Sequence, residues 1–268
     1  IPFQDVPVIK KQEGNKMRLF RRFLFYIVLI GVFAAALAFG VLALRDAWPF
    51  IKSDWEVHKL REEVKDDTAE ENTLEGGVTM PDIKWKKLQE ENPDIVAWIT
   101  VPGTKIDYPV LQCSTWNEYL HKDYEGNYSY PGSIFIQPGA SFSDQHIVVY
   151  GHNMASRSMF GSLHDYEDED FGREHPDVYI YEPGRTIHAK IYSTYDCEDA
   201  SETYLTDFET PENWQAWLNM TIEGNYYDVG TAFPSAGDRV ITLSTCSTGR
   251  SADSRYVVHS RIKEIKLY

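Results

Sequence analysis

Hydrophobic and polar positions divide the chain into three textures. The first is one apolar block, Phe23 to Leu44, with no charged side chain. Read as a helix, these 22 residues span ~33 Å, against a hydrocarbon core of ~30 Å. A buried helix of a soluble domain is the alternative, but this length without a charge favours a membrane span. The second texture is short and helical. Ser53 to Asp67 predicts a helix with Ser53 as N-cap and Glu56 closing a capping box. Residues 66–80 turn acidic and then Gly-rich, as a solvated linker would. Ile83 to Glu91 predicts a short helix with Trp85 and Leu88 on one face, stopped by Asn92-Pro93-Asp94.

The third texture begins at Ile95, where short β-rich runs alternate with turns. The predicted strands are Ile95–Val101, Ile106–Leu111, Ser133–Gln137, His146–Tyr150, Val178–Tyr181, Thr186–Tyr195, Arg239–Thr245 and Arg255–Ile262. Strands at this spacing imply a mainly β fold, a barrel or a sandwich. Two helical stretches interrupt them. Met159–Tyr166 is short. Pro211 to Ile222 is longer and carries Trp214, Trp217 and Leu218 at helical spacing.

Charge refines this picture. Residues 1–22 hold six Lys/Arg against Asp5 and Glu13, a net +4. The chain as a whole carries −15 and Phe23–Leu44 nothing, so residues 45–268 carry −19. An acidic domain excludes nucleic acid bound through a basic surface. The basic flank before the apolar block places the N-terminus in the cytoplasm and residues 45–268 outside. A cleaved signal peptide competes with the anchor, since Ala36-Leu37-Ala38 resembles a cleavage site, but the apolar run continues to Leu44. The chain begins with Ile1, and Met17 directly precedes the basic residues of the anchor, so both stay open as the start. Of three cysteines, Cys113 and Cys197 have the option of a disulfide, and Cys246, among polar residues, is the candidate free thiol.

The candidate chemistry lies at strand ends. In the run from Arg239, Val240, Thr242, Ser244 and Cys246 share one strand face. The polar side is expected to face a groove and the other the core. A thiol there is either a nucleophile, active as its thiolate, or a structural Cys. His152 follows an apolar strand and Gly151, and is the best base of eight His. An exposed loop His is the alternative for it, and His259, on the face of Arg255, is its rival. His121, His146, His164, His175 and His188 have less suggestive contexts. Arg255 has donors for an oxyanion, or for a surface salt bridge, and Arg250 competes from a Ser/Gly-rich turn. No Cys-x-x-Cys or His-x-x-x-His pair suggests a metal. Asp165–Asp170 reads as a solvated loop rather than a cation site.

These residues together resemble the sortase family, and its class B most. Thr242-Leu243-Ser244-Thr245-Cys246 matches the TLxTC signature, Arg255 stands before the aromatic and Val-Val of the last strand, and Tyr150-Gly151-His152 matches the His segment. Asn92 to Ile99, Ile106 to Val110, Gly132 to Phe135 and the helix before the Cys strand carry the class B character. The resemblance covers roughly residues 53–268. It implies an eight-stranded sortase β-barrel with N-terminal helices and an inserted helix before the Cys strand, preceded by one transmembrane helix. It divides the chain into a cytoplasmic basic tail 1–22, an anchor 23–44, an extracellular helix and linker 45–80, and a catalytic barrel 81–268.

The resemblance further implies a membrane-anchored cysteine transpeptidase of Gram-positive bacteria that needs no cofactor or metal. Cys246 would attack the Thr carbonyl of a C-terminal sorting motif on an exported protein, with Arg255 stabilising the oxyanion of the step to a thioester. His152 would protonate the leaving amine, and a cell-wall peptide precursor amine would resolve the thioester. Motifs of the Asn-Pro-x-Thr-Asn or Pro-x-x-Thr-Gly type are expected. Leu120, Tyr150, Tyr204, Leu205, Ser244 and Thr245 would line the substrate groove. Ser247 departs from class B members that carry an acidic residue there, which leaves the motif open. Two other readings remain: an exported thiol acyltransferase acting on peptidoglycan, like an L,D-transpeptidase, and a non-catalytic peptide-binding barrel.

Overall fold

The computed structural model describes residues 9–66, 80–247 and 251–268, with side chains from residue 17. Most of the predicted linker and Arg250 lie outside the described residues. Two compact units emerge, Ile1–Ile51 and Lys52–Tyr268.

Helix α1 runs from Ile9 to Val64, and its segment beginning at Met17 is long and apolar enough to cross a membrane. Phe23, Phe33 and Phe39 on it are all exposed. Ser53 does not cap a new helix. It is buried inside α1, because no glycine lies between Arg45 and Lys52 and the helix runs on through Asp46 and Pro49.

In the second unit, strands β1 (Lys65–Asp66) and β2 (Asp82–Ile83) pair antiparallel just before helix α2 (Trp85–Glu91). Eight strands follow: β3 (Ile95–Thr100), β4 (Asp107–Gln112), β5 (Ile134–Ile136), β6 (His146–Tyr150), β7 (Asp177–Glu182), β8 (Arg185–Glu198), β9 (Val240–Cys246) and β10 (Ser254–Leu267). They close into a barrel in the order β10-β8-β7-β3-β4-β5-β6-β9. The β4–β5 and β6–β9 pairs are parallel and the others antiparallel. All eight predicted strands are present, and β8 and β10 each extend to 14 residues because they pair with one another along almost their whole length. Closure pairs every strand of the barrel on both sides.

Lys65 is buried and ties the end of α1 to this barrel. Its ammonium reaches Asp107 Oδ1 at 2.6 Å and Thr100 Oγ1 at 3.1 Å, while Trp98 Nε1 donates to Asp107 at 2.6 Å and Arg61 also donates to it. Burial opposes the Asp107 charge, but Lys65, Trp98 and Arg61 outweigh it and hold the carboxyl below its ordinary range.

Helix α4 (Pro211–Glu223) forms where the periodicity predicts it. Thr210 caps it by accepting from Asn213 N, Pro211 opens it, and Trp214, Trp217, Leu218 and Thr221 form its buried face. Trp214, Trp217 and Leu218 cluster with Tyr192 of β8 and Val240 of β9. The polar face of β9 is therefore not an open groove along its length. Val240 and Thr242 are covered, and only the end at Ser244 and Cys246 reaches a groove. Residues from Met159 also differ from expectation. The helix there is a 3₁₀ turn, Gly161–Glu167, and Asp168 caps helix α3 (Glu169–Glu174), so the acidic stretch is structured rather than a loop.

Candidate active site

One groove of about 1030 Å³ opens at the barrel end where β6 and β9 finish. His152, Cys246 and Arg255 all line it. Register explains why. In the antiparallel β9–β10 pair, Arg255 is the direct partner of Cys246. In the parallel β6–β9 pair, Tyr150 is level with Ser244. Just beyond that pair, Gly151 N donates to Ser244 O at 3.2 Å, and His152 follows into the groove that Cys246 also lines. Gly151 is required there, since a Cβ would lie 2.5 Å from Ile134 and 2.8 Å from Phe160.

Cys246 is an exposed free thiol. Cys113 and Cys197 are also free, and burial pushes both of those thiols up. His152 Nε2 lies 2.8 Å from Leu120 O. A carbonyl only accepts, so Nε2 carries the proton and Nδ1 the lone pair. The ring stacks at 5.1 Å on His121 and at 6.2 Å on Tyr130. Burial, opposed by the Leu120 carbonyl and aided by His121, holds the imidazole below its ordinary range.

The Leu120 carbonyl is itself placed by Gly132, whose φ is +61° and whose hypothetical Cβ would sit 2.2 Å from that oxygen. Arg255 donates to Ala252 O at 2.8 Å and Ser254 O at 3.1 Å through Nη1, and to Asp199 Oδ2 at 3.1 Å through Nη2. Among the described residues these contacts use three of its five N–H donors.

Leu120, Tyr150, Tyr204, Ser244 and Thr245 also line the groove. The rings of Phe135, Tyr150 and Tyr204 stack in series, at 5.5 Å and 6.3 Å, and Tyr204 shares a 2.8 Å hydroxyl contact with Ser244. Burial pushes the Tyr150 hydroxyl up to about 12. Thr245 Oγ1 is buried without a hydrogen-bond partner among the described residues.

Leu205 is not in the groove lining. It is exposed, and its carbonyl instead accepts from His146 Nδ1 at 2.6 Å. His259, the rival base, is fully buried at 2.7 Å from Thr242 Oγ1, away from the groove.

Sequence reasoning passed over Asn153 and His164. Asn153 Nδ2 and His164 Nε2 each approach the Cys246 carbonyl oxygen to 2.9 Å. Adjacency to His152 was a signal for the first, and Glu167 three residues after His164 on one helical face was a signal for the second. Among the described residues no cluster of His, Cys, Asp or Glu is suited to a metal.

The sortase domain family matches residues 99–263 of this chain. Sortase B of Listeria monocytogenes is 35% identical over 183 residues, 66% of this chain and 73% of that protein. The sortase B structure from B. anthracis superposes with a TM-score of 0.66 at 28% identity, covering 81% of this chain and 99% of that one. A Staphylococcus aureus sortase B–substrate complex superposes with a TM-score of 0.62 at 30% identity, over 67% and 84%. With its eight-stranded barrel and its groove of Cys, His and Arg, the chain belongs to the sortase family of cysteine transpeptidases, in the sortase B class.

Proposed function

We propose that this chain is a membrane-anchored transpeptidase that cuts a C-terminal sorting motif after its Thr and joins the acyl fragment to a cell-wall amine. Cys246 gives its proton to His152 Nδ1 and its sulfur adds to the Thr carbonyl. The new oxyanion takes the two remaining Arg255 donors. The C–N bond breaks as His152 returns the proton to the leaving amine, which leaves a thioester on Cys246. Burial makes the His152 imidazolium a stronger acid, the direction this step requires. An incoming amine then attacks the thioester, its proton passes to His152, and the thiol is restored.

One observation carries this reading: two strand registers, β6–β9 and β9–β10, bring His152, Cys246 and Arg255 to one groove. The stacked rings of Tyr150 and Tyr204 offer a flat face for the motif's Pro, and Ser244 and Thr245 offer hydroxyls beside the thiol. Leu120 contributes a wall and the carbonyl that orients His152. A substrate complex solved for a relative, Staphylococcus aureus sortase B, supports a substrate as the occupant of this fold's groove. Residues 1–22 form the cytoplasmic tail, 23–44 the anchor in the lipid bilayer, 45–80 an external helix and linker, and 81–268 the catalytic domain outside the cell. The basic flank of the apolar segment supports that orientation.

The test uses the full chain in detergent micelles with quenched fluorescent peptides of the Asn-Pro-x-Thr-Asn and Pro-x-x-Thr-Gly types. Cleavage after Thr that vanishes in Cys246→Ala is the expected result. An inert panel beside a reactive thiol would favour the peptidoglycan-acting alternative, and an inert thiol the peptide-binding one.

A further inference from the structure

The groove continues well past the reacting residues. β6 runs toward the thiol in parallel with β9, and β5, antiparallel to β6, runs away from it. Ile136 of β5 pairs with Val149, which is level with Leu243, three residues before Cys246. At about 3.3 Å per residue, that level lies roughly 10 Å from the thiol. Gln137 follows Ile136 and leads further out. From the β8 side of the barrel, the Leu205 carbonyl accepts from His146 Nδ1 at 2.6 Å, and His146 is level with Val240, six residues before Cys246. That level lies roughly 20 Å from the thiol.

Trp116 is presented on this outer stretch. Its indole lines the groove yet is 73% exposed. A single exposed aromatic is ordinary, but the backbone under this one is fixed on both sides. Before it, Ser114 N and Ser114 Oγ donate to Glu118 Oε2 at 2.9 and 2.7 Å. After it, Asn117 is left-handed, with φ +59°. Asn117 N donates to the buried Gln137 at Oε1, 3.1 Å away, and Gln137 Nε2 donates back to Asn117 Oδ1 at 2.7 Å. A ligand landing on an indole held this way orders little that is not already ordered. The charge beside it is negative. Asp144, Asp199 and Asp207 line the groove, and Arg255 is the one Lys or Arg among its described lining residues. Asp199 is paired with Arg255. Among the described residues Asp144 and Asp207 form no ion pair, and Asp207 lies two residues past Leu205, at the outer end.

We propose that this outer stretch is a subsite for a basic residue just ahead of the sorting motif, four to six positions before its Thr, with Trp116 as the residue that selects it. An extended peptide with its Thr at Cys246 reaches roughly 10 to 20 Å with the third to sixth residues from that Thr. The Tyr150 face read above as the seat of the motif's Pro is level with Ser244, between the thiol and Trp116, so the peptide's N-terminal side runs outward. Its third residue from Thr still belongs to the motif, and the next three are the flank. The aliphatic stem of a Lys or Arg there packs on the indole, its cation meets the ring face, and Asp144 and Asp207 supply the opposite charge. The contact is remote from the bond that breaks and acts on substrate binding.

This inference rests on the proposed peptide-sorting function, and the experiment separates the two. Quenched fluorescent peptides carry whichever motif is cleaved, with Lys, Leu or Glu placed four, five or six positions before Thr. They are compared on the full chain in micelles. At the best position Lys should exceed Glu in kcat/KM by about 3- to 10-fold, mainly through KM. The ratio should shrink between 0.05 and 1 M salt. It should fall toward one in Trp116→Ala and in the double variant Asp144→Asn, Asp207→Asn. Each ratio is taken within one variant, so partial unfolding lowers both rates and leaves it readable. Equal rates for Lys and Glu, a preference for Leu over Lys, or a ratio that survives in every variant would overturn this inference while cleavage after Thr stands. Cleavage of no peptide, or cleavage that survives Cys246→Ala, would overturn the function reading instead.

Discussion

Arg255 stands directly opposite Cys246 in the antiparallel register of β9 and β10, and its guanidinium is fixed by Asp199 and by two carbonyls of its own turn. Those contacts orient the planar group and, among the described residues, leave two donors for the groove. Replacing Arg255 with Ala should lower kcat/KM by about 10²–10³-fold, the cost of a lost oxyanion donor. The melting temperature should barely move, since the Asp199 pair is partly exposed and contributes little to stability. A large drop in melting temperature would assign Arg255 a structural role.

Gly132 supports His152 from a distance of two residue contacts. Gly132→Ala would drive a Cβ into the Leu120 carbonyl from a left-handed backbone position, displacing the oxygen that orients His152 Nε2. Activity should fall at least ~10-fold, because a small misplacement of a catalytic group is costly. Gly230→Ala, outside the groove lining, is the control. It shares a positive φ but meets nothing within 4 Å, so its backbone strain comes without the clash. Equal activity losses in the two variants would remove the Leu120 contact from the account.

Buried imidazoles predict acid sensitivity. His146 Nδ1 donates to Leu205 O and its Nε2 accepts from Thr242, which in turn accepts from His259 Nδ1, so this chain of bonds requires a neutral His146, while burial disfavours the charge on His259. Burial pushes His146 down to about 4, and burial aided by His146 pushes His259 well down. An unfolded His takes its proton near 6.5, before the folded one does. Stability is therefore full above about pH 6.5 and falls as pH drops toward 4, by up to about 1.4 kcal/mol per pH unit for each buried ring. Chemical denaturation from pH 7.5 to 4.5 checks this. A His146→Asn variant should be less stable at pH 7 but show a shallower pH slope. An unchanged slope would contradict the prediction.

The Lys65–Asp107 contact predicts a stability effect with no catalytic one. Lys65→Met leaves the Asp107 carboxylate largely buried beside Arg61 and Trp98. It should destabilise the domain by about 3–5 kcal/mol, seen as a lower denaturation midpoint. Cleavage by the folded fraction should be unaltered, because neither residue lines the groove. A kcat change without a stability change would refute that separation.

Strand-end chemistry was legible because short β runs bounded by Pro and Gly carry local signals, and the Cys, His and Arg each sit at such a boundary. Helix α4 was legible from Pro211 and its Trp spacing, while its cap, Thr210, emerges only in the structure. The Ser53 start was misread because a capping box is a local pattern and helix propagation from Arg45 overrides it. The open polar face assigned to β9 failed for a nonlocal reason: α4 packs on Val240, His146 and His259 enclose Thr242, and no strand periodicity reports what covers the outer face. The roles of Asn153 and His164 were hidden likewise, because both act on a main-chain oxygen about 80 to 90 residues away.

The central claim is a thioester on Cys246. The most direct measurement is intact-mass spectrometry of the full chain, quenched in acid after seconds with a sorting-motif peptide and no acceptor amine. The account predicts an adduct equal in mass to the peptide fragment ending at Thr. Peptide mapping should place it on Cys246, an added amine should release it, and Cys246→Ala should lack it. Cleavage without any such adduct, or an adduct that persists in Cys246→Ala, would contradict the account.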